Sequence, residues 1–358
     1  MKILPADEEA LAAAVKVLME GAVAVIPTDT VYGLAALPQS EEALERLYSI
    51  KGRDKSKPIA LLVSDAAAAE RFIGRQASSL GAKYWPGALT LVSANEAVRV
   101  PAHDWTRRLI ALCGGALRVT SANISGGNDA KDAFEALKDV GLKADIIIDG
   151  GPCLGGQAST VAKYDDGKLE ILRRGPVEFL TLASASPRRS KILKDLGVDF
   201  TVVKTDAEEV SLPDDPVQTV KINALAKGAS LSGVKKVLSA DTIVWFNGRI
   251  YGKPRDCAEA KTFLEELSGN VHTVFTAVAY DGDVKVCESK VKFKNLTGEK
   301  IDEYIKRVNP LDRAGAYDID ESGDFIVESW TGSYENIMGL PKEPLFDWGI
   351  VKTEGAGR

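Results

Sequence analysis

The sequence predicts an α/β (α+β) chain built as two domains, and three observations carry that prediction. Short apolar runs alternate with helical segments along the whole length, the pattern of sheet-and-helix folds. The 358 residues exceed what one hydrophobic core usually serves, since domains run to roughly 100–200 residues. A Gly175-Pro176 break within RRGPVE (173–178) is followed at once by a fresh strand-to-helix unit, FLTLAS and then SPRRSKILKDLG. The expected domains are therefore 1–176 and 178–350. No Ser- or Pro-rich tether joins them and no internal repeat is visible.

The elements follow in order. Residues 7–20 read as a helix that Gly21 stops, and residues 23–26 as a short strand running into Pro27. Ser40 suits the N-cap of a helix through Tyr48, with Glu41 and Glu42 favourable in its first turn. Residues 59–63 and 146–148 look like buried strands. In the second half, a strand over 180–183 leads to a helix starting at Pro187, a favoured first helical residue. Strands are expected at 237–246 and 271–280, with a helix at 256–268 between them. The final EGAGR is expected to be disordered.

Composition narrows the function. Hydrophobic residues at 45% and charged residues at 27% describe an ordinary globular chain. Residues 1–177 hold 21 Lys+Arg against 22 Asp+Glu, which leaves 24 and 29 for the remainder, so the halves carry −1 and −5. Neither has the basic excess of a dedicated nucleic-acid binder. The four cysteines are too far apart for a zinc knuckle or a CxxC pair and fit a reducing cytoplasm. Two histidines exclude a His-rich metal site. The acidic, alanine-rich start lacks the form of a signal peptide, and no run of ~18 apolar residues predicts a membrane span. A cytoplasmic location, with no membrane partner, is expected.

In the first half four clusters join element ends to polar or cationic groups: PTDTVYGL (27–34), KGRDKSKP (51–58), TSANISGG (120–127) and ASTV (158–161). Lys51, Arg53, Lys55 and Lys57 put four cations into seven residues, suited to phosphate oxygens. Ser121 and Asn123 offer short hydrogen-bonding groups, and Ser125-Gly126-Gly127 leave backbone N–H groups accessible, as phosphate cradles require. Thr28 and Tyr32 suit a small polar pocket. Each cluster alone reads as readily as a solvated loop or a turn.

Together and in this order, with WPG-x-LT (85–90) and LR-x-G (172–175), they resemble the YrdC/TsaC family over nearly all of residues 5–176. The resemblance implies a twisted mixed sheet with helices. It also implies synthesis of threonylcarbamoyl-AMP from L-threonine, bicarbonate and ATP, which feeds the tRNA-modification machinery acting at adenosine 37. By it, Lys51, Arg53, Lys57, Ser121 and Asn123 form the nucleotide and phosphate site. Thr28, Tyr32 and Ser159 surround the substrate, Arg173 closes over the triphosphate, and magnesium bridges the phosphates. Asp29 stands where the family usually has Glu, and Ala162-Lys163 follow STV where an acid is common. A YciO-like branch of the family need not make this intermediate efficiently.

In the second half the central motif is ASASPRRSKIL (183–193). A helix opening at Pro187 would put Arg188 and Arg189 beside free backbone N–H groups, an anion site. SADTIV (239–244) carries Asp241 on a strand, and GKP (252–254) carries Lys253. His272 reads as a packed or hydrogen-bonded strand residue rather than a ligand. With GNVHTVFTAVA (269–279) and DRAGAYDID (312–320), the series resembles the Maf family over residues 179–349. That implies a mixed α/β domain hydrolysing the α–β bond of nucleoside triphosphates. Asp241 would be the catalytic carboxylate and, with Glu209, hold a divalent cation, Mg²⁺ or Mn²⁺. Ser184, Ser186, Arg188, Arg189, Lys227 and Lys253 would bind base and phosphates. The ADTIV, TAV and AGAY forms look like the branch preferring dTTP and UTP. At Asp320 that branch normally has Gln; an ionised Asp only accepts hydrogen bonds, so altered base choice is expected there. Arg313 replaces a common Lys.

The expectation is thus a bifunctional nucleotide enzyme, with a homodimer through the second half as the expected assembly. The competing reading makes one half a catalytically degenerate RNA-binding or regulatory module, and the −1 and −5 charges count against tight RNA binding.

Overall fold

A computed structural model describes residues 2–352, and the chain divides into two compact units, Met1–Glu178 and Phe179–Arg358. The EGAGR end lies outside the described residues.

The first unit runs β1 (Lys2–Pro5), α1 (Glu8–Met19), β2 (Ala24–Ile26), β3 (Gly33–Ala36), α2 (Glu41–Lys51), β4 (Leu61–Val63), α3 (Ala66–Ala82), β5 (Leu89–Ser93), β6 (Glu96–Arg99), α4 (Asp104–Leu112), β7 (Ala116–Ser121), α5 (Ala133–Asp139), β8 (Ile146–Asp149), β9 (Thr160–Asp165) and β10 (Lys168–Arg173). Its helices start where short polar side chains satisfy first-turn N–H groups. Asp7 accepts from Ala10 N at 2.8 Å, Ser40 from Ala43 N at 3.3 Å and Asp65 from Ala68 N at 2.8 Å. The strands form a mixed sheet in the order β1-β8-β2-β3-β7-β4-β6-β5-β9-β10. Its central strands are covered on both faces. Ala24, Ile26, Ile146 and Ile148 pack with Leu11, Leu18, Leu109 and Ile110, while Val23, Val25 and Ile147 pack with Leu47 and Val140. Double coverage is why these strands read as continuous apolar runs rather than as alternating ones.

The second unit runs β11 (Leu180–Leu182), α6 (Pro187–Asp195), β12 (Phe200–Val202), α7 (Pro216–Ala229), β13 (Val237–Phe246), β14 (Arg249–Tyr251), α8 (Cys257–Leu267), β15 (Val271–Tyr280), β16 (Asp283–Phe293), α9 (Gly298–Arg307), α10 (Gly323–Ile326), β17 (Val327–Thr331), α11 (Tyr334–Met338) and α12 (Glu343–Asp347). Its sheet order is β12-β11-β13-β15-β16-β17. β11 is parallel to both neighbours, and β13, β15, β16 and β17 are antiparallel. β14 pairs with the far end of β13, from Val244 to Phe246. The chain leaves β11 to build β12 on one side and then returns to β13 on the other. The end of β11 is therefore a topological switch point, where open α/β sheets form ligand crevices. Leu238, Ala240 and Val244 of β13 join the larger core, while Ile243 packs on the opposite face with Val220 and Ala224 of α7.

Among the described residues no helix is long and apolar enough to cross a membrane. The four cysteines are free thiols.

Candidate active sites

In the first unit, the ends of β2, β5 and β7 and the turn before β9 surround a cavity of ≈ 370 Å³. Thr28, Tyr32, Arg53, Ser121, Ser159 and Arg173 line it. Burial fixes their rotamers through internal hydrogen bonds. Thr28 Oγ1 donates to Val31 O at 2.7 Å, and Tyr32 Oη donates to Gly151 O at 2.8 Å. Ser159 Oγ and Thr90 Oγ1 lie 2.8 Å apart, and Arg173 Nη2 donates to Ser159 O at 2.8 Å. Burial lowers the Arg173 pKa.

Lys51 and Asn123 lie behind this lining rather than in it. The Lys51 ammonium is buried and donates toward Ser121 O (2.7 Å), Ser121 Oγ (3.1 Å), Asn123 O (2.9 Å) and Asn123 Oδ1 (2.8 Å). Desolvation, with Arg53 nearby, pulls its pKa down to about 8. Lys51 thus braces the SAN turn from beneath. The KGRDKSK cluster is not one basic loop: Lys55 pairs with Glu45, and Lys57 is exposed, its carbonyl accepting from Arg53 Nε at 3.0 Å. Two of the three SGG amides are already engaged, since Ser125 N donates to Lys51 O and Gly127 N to Ile124 O, each at 2.9 Å.

Sequence reasoning missed Arg99. It lines the cavity, is 5% exposed and binds Asp29 Oδ1 at 2.5 Å and Thr30 Oγ1 at 2.7 Å. Burial lowers its pKa, while Asp29 acts to raise it. The available signal was an Arg inside the apolar run AVRVP, a charge that a buried position holds only when paired.

In the second unit a cavity of ≈ 590 Å³ opens at the switch point. Ser184, Ser186, Arg188, Arg189, Glu209, Lys227, Asp241 and Lys253 line it together. Asp241 sits mid-strand on β13, 5% exposed. Lys227 of α7 reaches its Oδ1 at 2.6 Å and Glu209 Oε1 at 2.8 Å, so one ammonium bridges two carboxylates. Asn223, one turn earlier on α7, donates to Asp241 Oδ2 at 3.0 Å. Arg189 is half-buried at the cavity wall. Its Nε donates to Gly339 O (2.8 Å), Nη1 to Ser184 Oγ (3.0 Å) and Nη2 to Thr242 Oγ1 (3.1 Å). Desolvation lowers its pKa to about 10, against the opposing effect of Asp241.

Arg188 pairs with the buried Asp318 at 3.1 Å, and Lys253 with Asp312 at 2.8 Å. Asp320 is not among the lining residues; Lys191 holds its carboxylate at 2.6 Å and Tyr334 Oη donates to it at 3.3 Å. His272 is buried on β15 with Nε2 3.0 Å from Tyr317 Oη, a packed strand residue. Asn223 and Thr242 were not singled out from sequence. The Asn223–Lys227 spacing of four on a helix was the signal that both face one strand.

Three carboxylates line this cavity, Asp241 and Glu209 together on Lys227 and Asp312 apart on Lys253, and among the described residues no cluster of three metal-ligating side chains exists. That donor set fits a hard divalent cation completed by substrate phosphates and water, not a dedicated protein cage.

Residues 179–348 match the family model described as Maf-like protein. Residues 16–175 match the Sua5/YciO/YrdC model, described as telomere recombination. A dTTP/UTP pyrophosphatase of Clostridium novyi (strain NT) is 39% identical over 178 residues, 46% of this chain and 93% of that protein. One from Aquifex aeolicus (strain VF5) is 41% identical over 174 residues, 46% of this chain and 90% of its own length. The crystal structure of P. abyssi Sua5 complexed with L-threonine is 28% identical with a TM-score of 0.49. The match covers 57% of this chain and 63% of that one, less than two thirds of its length.

Proposed function

The chain belongs to the Maf family through residues 179–348 and carries a Sua5/YciO/YrdC domain over residues 16–175, and from this we propose a bifunctional nucleotide enzyme. Its second half hydrolyses nucleoside triphosphates, dTTP and UTP foremost, to the monophosphate and pyrophosphate. Its first half forms threonylcarbamoyl-AMP from L-threonine, bicarbonate and ATP, releasing pyrophosphate, for a tRNA-modifying transferase. Both reactions are assigned to the cytoplasm, and the second half is assigned a homodimeric assembly.

The observation that carries the reading is the convergence on one cavity of Asp241, Lys227 and Glu209 with Ser184, Arg188 and Arg189 at the start of α6. Water attack on phosphorus needs a base, and the departing pyrophosphate needs cations. In this proposal Asp241 takes the proton of the attacking water. The first-turn N–H groups of α6 and Arg188 receive phosphate oxygens, and Arg189 orients Ser184 and Thr242. Lys253 neutralises charge on the leaving group. A divalent cation, Mg²⁺ or Mn²⁺, held by Asp241 and Glu209 would add charge neutralisation at the phosphates. In the first half, Arg53 and Arg173 take the triphosphate and Lys51 with Asn123 sets the floor beneath Ser121. Thr28, Tyr32 and Ser159 surround threonine, and positioning for in-line attack carries most of the rate.

The test is pyrophosphate release from dTTP, UTP, CTP, ATP and 7-methyl-GTP with Mg²⁺ or Mn²⁺, for the native chain and Asp241→Asn. Release from dTTP or UTP should fall by about 10³-fold or more in the variant, as loss of a catalytic carboxylate predicts. Native release no greater than that of the variant would mean a degenerate second half. ATP turnover dependent on threonine and bicarbonate tests the first half separately.

A further inference from the structure

We propose that Asn223 is a positioning residue that sets Asp241 and Glu209 in register for the divalent cation, an inference that rests on the triphosphate-hydrolysis reading of this cavity. Asn223 is 3% exposed on α7 and shares its inward face with Lys227. Its Nδ2 donates to Asp241 Oδ2 at 3.0 Å, while Lys227 donates to Oδ1 at 2.6 Å. Each carboxylate oxygen therefore has one donor from the same helix. Two donors on two oxygens fix the plane of the carboxylate and leave each oxygen a further lone pair.

The same amide also grips the segment bearing the second acid. Nδ2 donates to Val210 O at 3.0 Å, and Oδ1 accepts from Val210 N at 2.8 Å. Residues 203–212 belong to no helix or strand, so no ladder of their own places Glu209. The bidentate grip on Val210 supplies that placement, and Lys227 closes the loop by binding Glu209 at 2.8 Å. One neutral side chain thus ties the spacing of two carboxylates to one rigid helix. Neutrality matters, because a second cation here would offset the negative charge that a divalent cation requires.

The experiment compares Asn223→Asp and Asn223→Ala with the native chain. Asn223→Asp keeps the shape and the acceptor for Val210 N but loses the donor to Asp241; Asn223→Ala loses both without adding charge. Four quantities are read: kcat and KM for dTTP, Mn²⁺ affinity of the nucleotide-free chain by electron paramagnetic resonance, and the melting temperature. For variants that melt near the native temperature, kcat should drop about tenfold or more with KM within about threefold. Mn²⁺ affinity of Asn223→Ala should weaken about tenfold, the usual cost of removing an outer partner of a metal ligand. Native kcat together with native Mn²⁺ affinity in a folded variant overturns the proposal, as does a loss confined to KM. If one variant does not fold, the other decides by the same criteria. A native chain inactive on dTTP would overturn the hydrolysis reading instead, and Mn²⁺ binding would still decide the role of Asn223.

Discussion

Lys51 and Arg189 show what a desolvated cation does to a site. Neither is a free phosphate ligand; each is spent first on holding a turn, Lys51 the SAN segment and Arg189 the junction of Ser184, Thr242 and Gly339. The Lys51 pKa, about 8 in the fold, lies below the ordinary lysine value of 10.5. Below pH 8 both folded and unfolded chains carry the proton and the desolvation cost is complete. Between about 8 and 10.5 the folded state sheds it first, so stability rises with pH by up to about 1.4 kcal/mol per unit. Melting curves at pH 8 and pH 10 should show this gain in the native first half and not in Lys51→Met. Below pH 8 that variant should lose about 1–3 kcal/mol from the unpaired Asn123 and Ser121 oxygens, and threonine-dependent ATP turnover should fall.

The helix α2 explains why the basic cluster was misread. It was expected to stop at Tyr48 but continues to Lys51, where Gly52 caps it in a left-handed conformation (φ 60°). That extra turn sends Lys51 inward and leaves Lys55 and Lys57 on the surface. Charge density in sequence could not separate them, because the difference lies in where one helix ends. By contrast β13 and β15 were legible to the residue, because long β-branched runs between turn residues admit few other readings. Helices α3 and α4 were not anticipated: α3 is Ala-rich with a break at Gly74, and α4 is only nine residues. The strand ends in the first half also depend on close backbone approach. A Cβ on Gly175 would stand 2.4 Å from Thr160 N and 2.7 Å from Ala158 O, both backbone atoms that cannot swing away. Gly175→Ala should therefore displace Ser159 and raise the KM for threonine in the first half about tenfold or more, with pyrophosphate release from dTTP unchanged.

Across the molecule, each unit has its own apolar core, so two unfolding transitions are expected in calorimetry. Each unit holds one histidine that burial pushes down, His103 in the first and His272 in the second. For His272, burial drives the pKa down to about 3 from 6.5, with no carboxylate beside it to hold a proton. A group depressed in this way contributes stability that is complete above pH 6.5 and lost as pH falls toward 3, because the unfolded chain takes up the proton first. Acidification from pH 7 to pH 4 should lower the transition of the second unit, and His272→Gln should flatten that dependence without altering the transition of the first.

The ion pairs around the larger cavity carry a last consequence. Arg188 and Lys253 already face Asp318 and Asp312. A triphosphate arriving there would exchange one set of anions for another instead of displacing loosely held salt ions. Affinity should then respond only weakly to ionic strength: between 50 and 300 mM KCl the KM for dTTP should change less in the native chain than in Asp312→Asn, where Lys253 is released to gather counterions. Selectivity among anions at this site would come from geometry, while the long-range field of the half, net −5, offers no attraction to them.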